Sequence, residues 1–158
     1  MLAGRRLDIH QIQTANLGLF RESFDRVAEL PSLNLRPVEE SICIWEFDCP
    51  QTGERGRLLD VDGFLSNGRV SLSVSGMAYL ITRQGFTLAL LFPAHPRRVR
   101  LTETNYKIVP REDQKAMPPH LPPDLISQVI RHRFRKILIV DQTYLLSKIG
   151  LRARAAAQ

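Results

Sequence analysis

The chain has 158 residues, of which 44% are hydrophobic and 24% are charged. These values are close to the average for globular domains, so they argue against wholesale disorder, and a chain of this length can bury a hydrophobic core without metals or disulfides. The formal net charge of +6 favours anionic partners such as nucleic acid, an acidic protein or an anionic membrane surface. We therefore expect one small basic domain.

The cysteines and the apolar runs bear on the compartment. Cys43 and Cys49 come with no CxxC pair and no cluster of histidines, which supports neither a disulfide framework nor a zinc ribbon. Their hydrophobic setting is expected to raise the thiol pKa and leave both residues inert. Charged residues follow Met1 before an apolar signal region forms, and no run approaches the roughly 18 residues that span a bilayer. We expect a cytoplasmic protein with reduced thiols, no cofactor or metal, and no membrane partner.

The first predicted elements are a short strand over Leu7 to Ile12 and a helix. Asn16 is placed to cap this N-terminal helix and Pro31 to end it. Its apolar residues recur at helical spacing, as expected for a helix that packs on a core: Phe20, Phe24, Val27 and Ala28.

Between Ser41 and about Val109 the apolar residues alternate with a period of two and turn residues interrupt them often, which predicts β-strands. The expected strands are 41–48, 57–65, 69–75, 78–82, 86–92 and 97–103, with a continuation over 106–109. Asn67-Gly68 is the strongest hairpin signal, because both residues tolerate the positive φ of a tight turn. Short sequential strands of this kind predict a twisted antiparallel meander of about five to seven strands. No internal repeat is evident.

Prolines among polar residues make 110–123 a predicted linker with polyproline character. A helix is expected to follow from Asp124, and its buried stripe consists of Ile126, Ile130, Phe134, Ile137 and Leu138. A further short helix is bounded by Asp141 and Gly150. The sequence thus predicts an α+β fold: helix and antiparallel sheet over 1–109, the linker, a helical segment over 124–150 that packs on the same domain, and a basic tail over 151–158.

Two clusters of cations lie in the second half of the chain. The first occupies one broad face of the predicted C-terminal helix and consists of Arg131, His132, Arg133, Arg135 and Lys136. Like charges at these spacings repel, and an anionic partner would relieve the repulsion. The second cluster is a cationic strip on a predicted strand, made of Arg97, Arg98 and Arg100.

Three simpler explanations of these clusters stay open. The helix face would be an ordinary solvated surface if its cations pair with acidic residues such as Glu103 or Glu112. The strand would be an edge protected against aggregation by its charge. Finally, nearly all of the cations are arginines, and a GC-rich genome would enrich arginine without a functional cause.

Two observations point to an enzyme. The six residues from Leu58 to Gly63, Leu-Leu-Asp-Val-Asp-Gly, resemble the first motif of haloacid-dehalogenase-type phosphatases. The resemblance covers these residues alone and implies that Asp60 is the nucleophile and Asp62 a general acid/base. In addition, His132 among arginines permits metal-independent RNA cleavage, in which a lone histidine acts beside cations that hold the phosphate. A small nuclease or phosphohydrolase is therefore one alternative.

The hypothesis that the sequence favours is a non-catalytic basic protein that contacts nucleic-acid phosphates, RNA or DNA, or a nucleoprotein complex. The Arg-rich C-terminal helix is the expected contact, assisted by the strip at Arg97. Closely spaced solvent-facing aromatics, on which bases would stack, are missing from the β region, which favours backbone contact over base recognition. A second alternative is a protein-interaction subunit or inhibitor whose arginines bind an acidic protein surface.

Overall fold

The structure is a computed structural model, and it describes residues 2–38, 41–66, 75–83, 86–110 and 121–157. The chain forms two compact units. The first combines residues Met1–Ser23 with Pro96–Gln142, and the second combines Phe24–His95 with Thr143–Gln158. No helix in the described part of the chain is long and apolar enough to cross a bilayer.

Strands dominate both units. In chain order they are β1 (Arg6–Ile12), β2 (Ala15–Phe20), β3 (Arg26–Glu29), β4 (Asn34–Val38), β5 (Ser41–Asp48), β6 (Arg55–Asp60), β7 (Gly76–Arg83), β8 (Phe86–Pro93), β9 (Arg97–Arg100), β10 (Tyr106–Ile108), β11 (Ile126–His132) and β12 (Arg135–Val140). The α-helices are α1 (Val61–Leu65) and α2 (Gln142–Ala157), and short 3₁₀ turns lie at Arg21–Ser23, Leu30–Ser32 and Pro123–Leu125.

The first unit contains one six-stranded sheet in the order β10-β11-β12-β2-β1-β9. A flat sheet of this width would hold its edge strands about 24 Å apart. However, Val99 of β9 and Tyr106 of β10 pack against one core cluster, whose members are Leu2, Leu7, Ile9, Leu101, Ile130, Ile137 and Ile139. The sheet is therefore curled, and its two edges approach each other around a shared core.

The second unit repeats this arrangement in the order β3-β7-β8-β6-β5-β4. In both sheets a central parallel pair, β12 with β2 or β8 with β6, has two antiparallel neighbours on either side. The core of the second sheet includes Phe47, Leu58, Leu80 and Leu91, together with Leu30 and Leu33 from the turn that joins β3 to β4. The structure thus has an internal repeat of strand pairing that the sequence does not reveal.

The predicted N-terminal helix is wrong. Its residues form β2, the turn at Arg21–Ser23 and β3 instead. β2 pairs with β1 along its whole length, from Ile12 opposite Ala15 to Leu7 opposite Phe20, and Gln13 in the turn between them has a positive φ of 55°. Tertiary pairing of β2 with strands on both sides outweighs the helical spacing of its apolar residues.

The predicted C-terminal helix over 124–138 is wrong as well. The segment is an antiparallel hairpin of β11 and β12, closed by a tight turn at Arg133 and Phe134. Short apolar runs are ambiguous between helix and strand, and the β-branched residues of this run, among them Val129, Ile130 and Ile137, favour the strand. Phe134, which the helical spacing assigned to the core, is fully exposed at 102%. The mixed helix-and-strand class is confirmed, but two six-stranded sheets replace the single meander.

Other predicted elements agree with the structure or lie outside its description. The strands expected over 7–12, 41–48, 78–82 and 86–92 are confirmed, and so is a helix after Asp141, although it extends to Ala157. The strand expected over 57–65 ends at Asp60, where α1 begins. The Asn67-Gly68 hairpin, most of the strand expected over 69–75 and most of the linker over 110–123 lie outside the described residues.

Candidate functional site

A cleft of roughly 610 Å³ lies in the first unit between β9 and the tip of the β11–β12 hairpin. We call it the arginine cleft. It is lined by Arg97, Arg98, Val99, Arg100, Asn105, His132, Arg133, Phe134 and Arg135. The two basic clusters that the sequence placed on separate elements thus belong largely to one surface, because the curl of the sheet brings β9 beside the hairpin tip.

The positive charges of the cleft perturb one another. The pKa of Arg97 is lowered, first by partial burial and then by the charges of Arg135 and Arg133. The pKa of His132 is also lowered from 6.5, by burial and then by Arg133 and Arg97. These side chains therefore lie within electrostatic reach of one another, and His132 is neutral near physiological pH.

Within the described residues no ion pair joins a carboxylate to a cleft arginine, although the buried Asp8, which pairs with Arg21, lies opposite Arg98 across β1 and β9. The ion pairs found there join Arg6 to Glu22, Arg21 to Asp8, Arg26 to Glu54, Arg36 to Glu46 and Asp48, and Arg57 to Glu46. Glu103, considered above as an internal partner, forms no such pair with the cleft arginines, and Glu112 lies outside the described residues. The cleft is therefore a concentration of cationic charge open to an outside anion.

Phe134 adds an apolar group at the rim of the cleft. It is the most exposed large hydrophobic side chain among the described residues, at 102% against 52% for Ile108 and 43% for Phe86. The preceding Arg133 has φ 57°, a left-handed conformation that favours Gly or Asn in such turns. A fully exposed ring buries no surface in the fold, so this turn holds Phe134 where another molecule can reach it.

Arg131 and Lys136 lie close to the cleft but do not line it. They are opposite each other across the hairpin, and Lys107 of β10 is opposite Arg131 on its other side. Because directly opposed residues project from the same face of a sheet, these three cations form a row across β10, β11 and β12. The sequence identified the cationic residues but missed Asn105 and the exposure of Phe134. Asn105 is held by the turn between β9 and β10, where it bonds to Arg100 and Thr102, and Phe134 is exposed by the turn of the hairpin.

Asp60 and the cysteines have structural roles. The Asp60 carboxylate accepts a hydrogen bond from the N–H of Gly63 at 3.2 Å and caps α1, and burial raises its pKa. The cap is a local structural contact, which the phosphatase resemblance does not account for. Cys43 and Cys49 are both buried. The pKa of Cys49 is lowered, however, because hydrogen bonds, first from the Thr52 side chain, outweigh burial, so the expectation of a raised pKa is wrong there.

Comparison with known proteins gives a match of fold. No known family and no curated protein matches the sequence. The chain is similar to the crystal structure of the scaffolding protein TtCheW from Thermoanaerobacter tengcongensis, with a TM-score of 0.62 and 14% sequence identity over 87% of this chain and 89% of that chain. At this identity the likeness shows the fold alone.

The nucleic-acid hypothesis is wrong. It rested on an Arg-rich helix, and those residues form a hairpin instead. A solved structure with this fold is described as a scaffolding protein and not as a nucleic-acid-binding protein. The alternative of a protein-interaction subunit agrees better with this likeness.

Proposed function

We propose that the chain is a scaffold-like protein-interaction subunit that binds an acidic surface of a partner protein through the arginine cleft. The observation that carries this proposal is the set of cleft arginines without an ion-pair partner among the described residues. The description of TtCheW as a scaffolding protein supports it, because a scaffold acts by binding other proteins.

The chemistry of the cleft suits carboxylates. Each guanidinium presents donors in a planar fork that matches a carboxylate in a bidentate contact. Partial burial, and then the charges of Arg135 and Arg133, lower the pKa of Arg97. A carboxylate placed between these three arginines would relieve the repulsion and also accept charge-assisted hydrogen bonds. The expected contacts are therefore Arg97, Arg98, Arg100, Arg133 and Arg135, with His132 at the base of the cluster.

Phe134 and the row of cations across β10, β11 and β12 have different roles in this proposal. Aromatic and arginine side chains are enriched among the residues that dominate binding energy, so Phe134 is the expected apolar anchor. Arg131, Lys136 and Lys107 lie outside the cleft, where their charges steer an acidic partner during encounter without fixing its position. We also expect the protein to act in the cytoplasm, since Cys43 and Cys49 form no disulfide within the described residues, which suits a reducing compartment.

Calorimetric titration with a glutamate-rich peptide tests the proposal. The double variant Arg133→Gln/Arg135→Gln should bind at least about tenfold more weakly, because it removes two charge-assisted contacts. The matched control is Arg36→Gln/Arg55→Gln, which removes the same charge from β4 and β6 of the second unit. Equal loss in both variants, or no binding by the parent protein, would show that the cleft is not the site.

A further inference from the structure

β9 lies at an edge of the first sheet and pairs with β1 alone among the described strands. Its hydrogen bonds show which backbone groups face which side. The N–H of Leu101 donates to the carbonyl of Arg5 at 2.9 Å, toward the β1 side. The carbonyl of Arg100 instead accepts from the Asn105 side chain at 2.9 Å.

Backbone groups alternate in direction along a strand, so Arg97 and Val99 share the orientation of Leu101, and Arg98 shares that of Arg100. The N–H and carbonyl of Arg98 and the N–H of Arg100 therefore face the side that β1 does not occupy. No strand of the described chain pairs with them there. The same residues form one wall of the arginine cleft, opposite the hairpin tip.

We propose that the partner contributes an extended acidic segment, which adds to the open edge of β9 as a further strand within the arginine cleft. This inference rests on the proposed function and specifies how the acidic partner is recognised. β9 contains four residues and spans about 13 Å, so it accepts a segment of similar length. Main-chain hydrogen bonds to Arg98 and Arg100 would supply the alignment, as in other proteins that bind peptides by strand addition.

Charge complementarity identifies the occupant as acidic. Side chains of an added strand alternate between the two faces of the sheet. Arg98 and Arg100 lie on the face opposite Val99, a residue that packs against the core, and Arg97 lies on the Val99 face beside Arg133 and Arg135. Carboxylates on either face of the incoming strand thus meet arginines.

The same charges disfavour a second copy of this chain. Pairing β9 with β9 of another copy would place arginines opposite arginines, and like charges directly opposed across a sheet are destabilising. The edge is therefore protected against self-association but open to an acidic strand.

Amide hydrogen exchange, measured by NMR, tests the mode of binding. The probe is a short synthetic peptide of alternating Glu and Thr. On saturation, the exchange of the Arg98 and Arg100 amides should slow at least about tenfold, since both amides gain an acceptor. The Val99 amide faces β1 and serves as an internal control whose exchange stays the same.

Two N-methylated versions of the peptide provide a second measurement without altering the protein. One version is methylated on the amides of the Glu residues and the other on those of the Thr residues. Because alternate amides face β9, one version should lose at least about tenfold in affinity, and the other should bind like the parent peptide.

The outcomes separate this inference from the function on which it rests. Binding with slower exchange at Arg98 and Arg100 supports strand addition. Binding without a change in exchange, or with equal tolerance of both methylated peptides, overturns strand addition and leaves an acidic-protein site. Absence of binding overturns both proposals.

Discussion

Arg97 and His132 are far apart in the sequence, yet they line one cleft, and the charge of Arg97 helps to lower the pKa of His132. Arg97 begins β9 and His132 ends β11, two strands that lie far from each other in the order of the sheet. Their proximity follows from the curl of that sheet. The His132 imidazole consequently responds to the charge that enters or leaves the cleft.

Binding of an acidic peptide should raise the pKa of His132. In the free protein burial, Arg133 and Arg97 all disfavour the imidazolium, whereas a carboxylate in the cleft favours it. By linkage, affinity for the peptide should increase as the pH falls through the titration of His132. NMR titration of the His132 imidazole with and without peptide measures this shift. In the free protein Arg133→Gln should also raise the pKa of His132, because the charge of Arg133 helps to lower it. A pKa that does not respond to the peptide would argue against a carboxylate beside His132.

The stability of the free protein should also depend on the titration of His132, and it should fall as the pH falls. His132 has a lowered pKa in the folded state, so below pH 6.5 the unfolded chain binds more protons than the folded chain. The titration of His132 therefore lowers the free energy of unfolding as the pH falls from 6.5 through the pKa that His132 has in the folded protein. Urea unfolding at a series of pH values measures this, and His132→Gln should show a shallower loss over that interval. If both proteins lose the same free energy of unfolding over this pH interval, His132 does not cause the loss.

Phe134→Ala should separate binding from stability. The ring is exposed, so the free energy of unfolding should change by no more than about 0.5 kcal/mol. Loss of an aromatic anchor should weaken binding of the acidic peptide by about tenfold or more. Phe86→Ala is the matched control, because Phe86 is a partly exposed phenylalanine on β8 of the second unit. Unchanged affinity in Phe134→Ala would remove Phe134 from the site.

Gly56→Ala should disrupt the parallel pair of β6 and β8. Gly56 lies opposite Thr87, and an added Cβ would overlap the Thr87 backbone carbonyl, which has no room to move without breaking the pairing. We expect a loss of about 2 kcal/mol or more in the free energy of unfolding. Gly18→Ala is the comparison, since its Cβ would meet only side-chain methyl groups, the nearest being that of Ile137 at 2.9 Å. A smaller effect at Gly56 than at Gly18 would contradict this ranking.

Substitutions at Asp60 should distinguish the cap from the buried charge. Asn keeps an oxygen that accepts from Gly63 and removes a charge that burial disfavours, so Asp60→Asn should be neutral or stabilising near neutral pH. Asp60→Ala loses the cap and should be destabilised by about 1 kcal/mol. Thermal unfolding of both variants measures the difference. A large loss in Asp60→Asn would mean that the charge itself is required.

Local patterns predicted much of the β structure but little of its assembly. Strands such as β5 and β8 follow from short apolar runs that turn residues separate. The segments of the two predicted helices were misassigned, because residues such as Ile130 and Ile137 fit both the helical and the strand period. Part of the pairing also joins segments that are distant in sequence, namely β2 with β12 and β3 with β7. The turn at Arg133 has no Gly or Asn to signal its left-handed conformation. The cationic residues could be identified from the sequence, but the arginine cleft required the curl that brings β9 to the hairpin.

Amide chemical-shift mapping during titration with the glutamate-rich peptide locates the surface of the protein that binds it. Binding in the arginine cleft should shift the amide resonances of Arg97, Arg98, Arg100 and the hairpin tip around Phe134, and should leave those of the second-unit residues Arg36 and Arg55 unchanged. Shifts concentrated in the second unit, or spread evenly over exposed arginines of both units, would contradict a binding site in the arginine cleft.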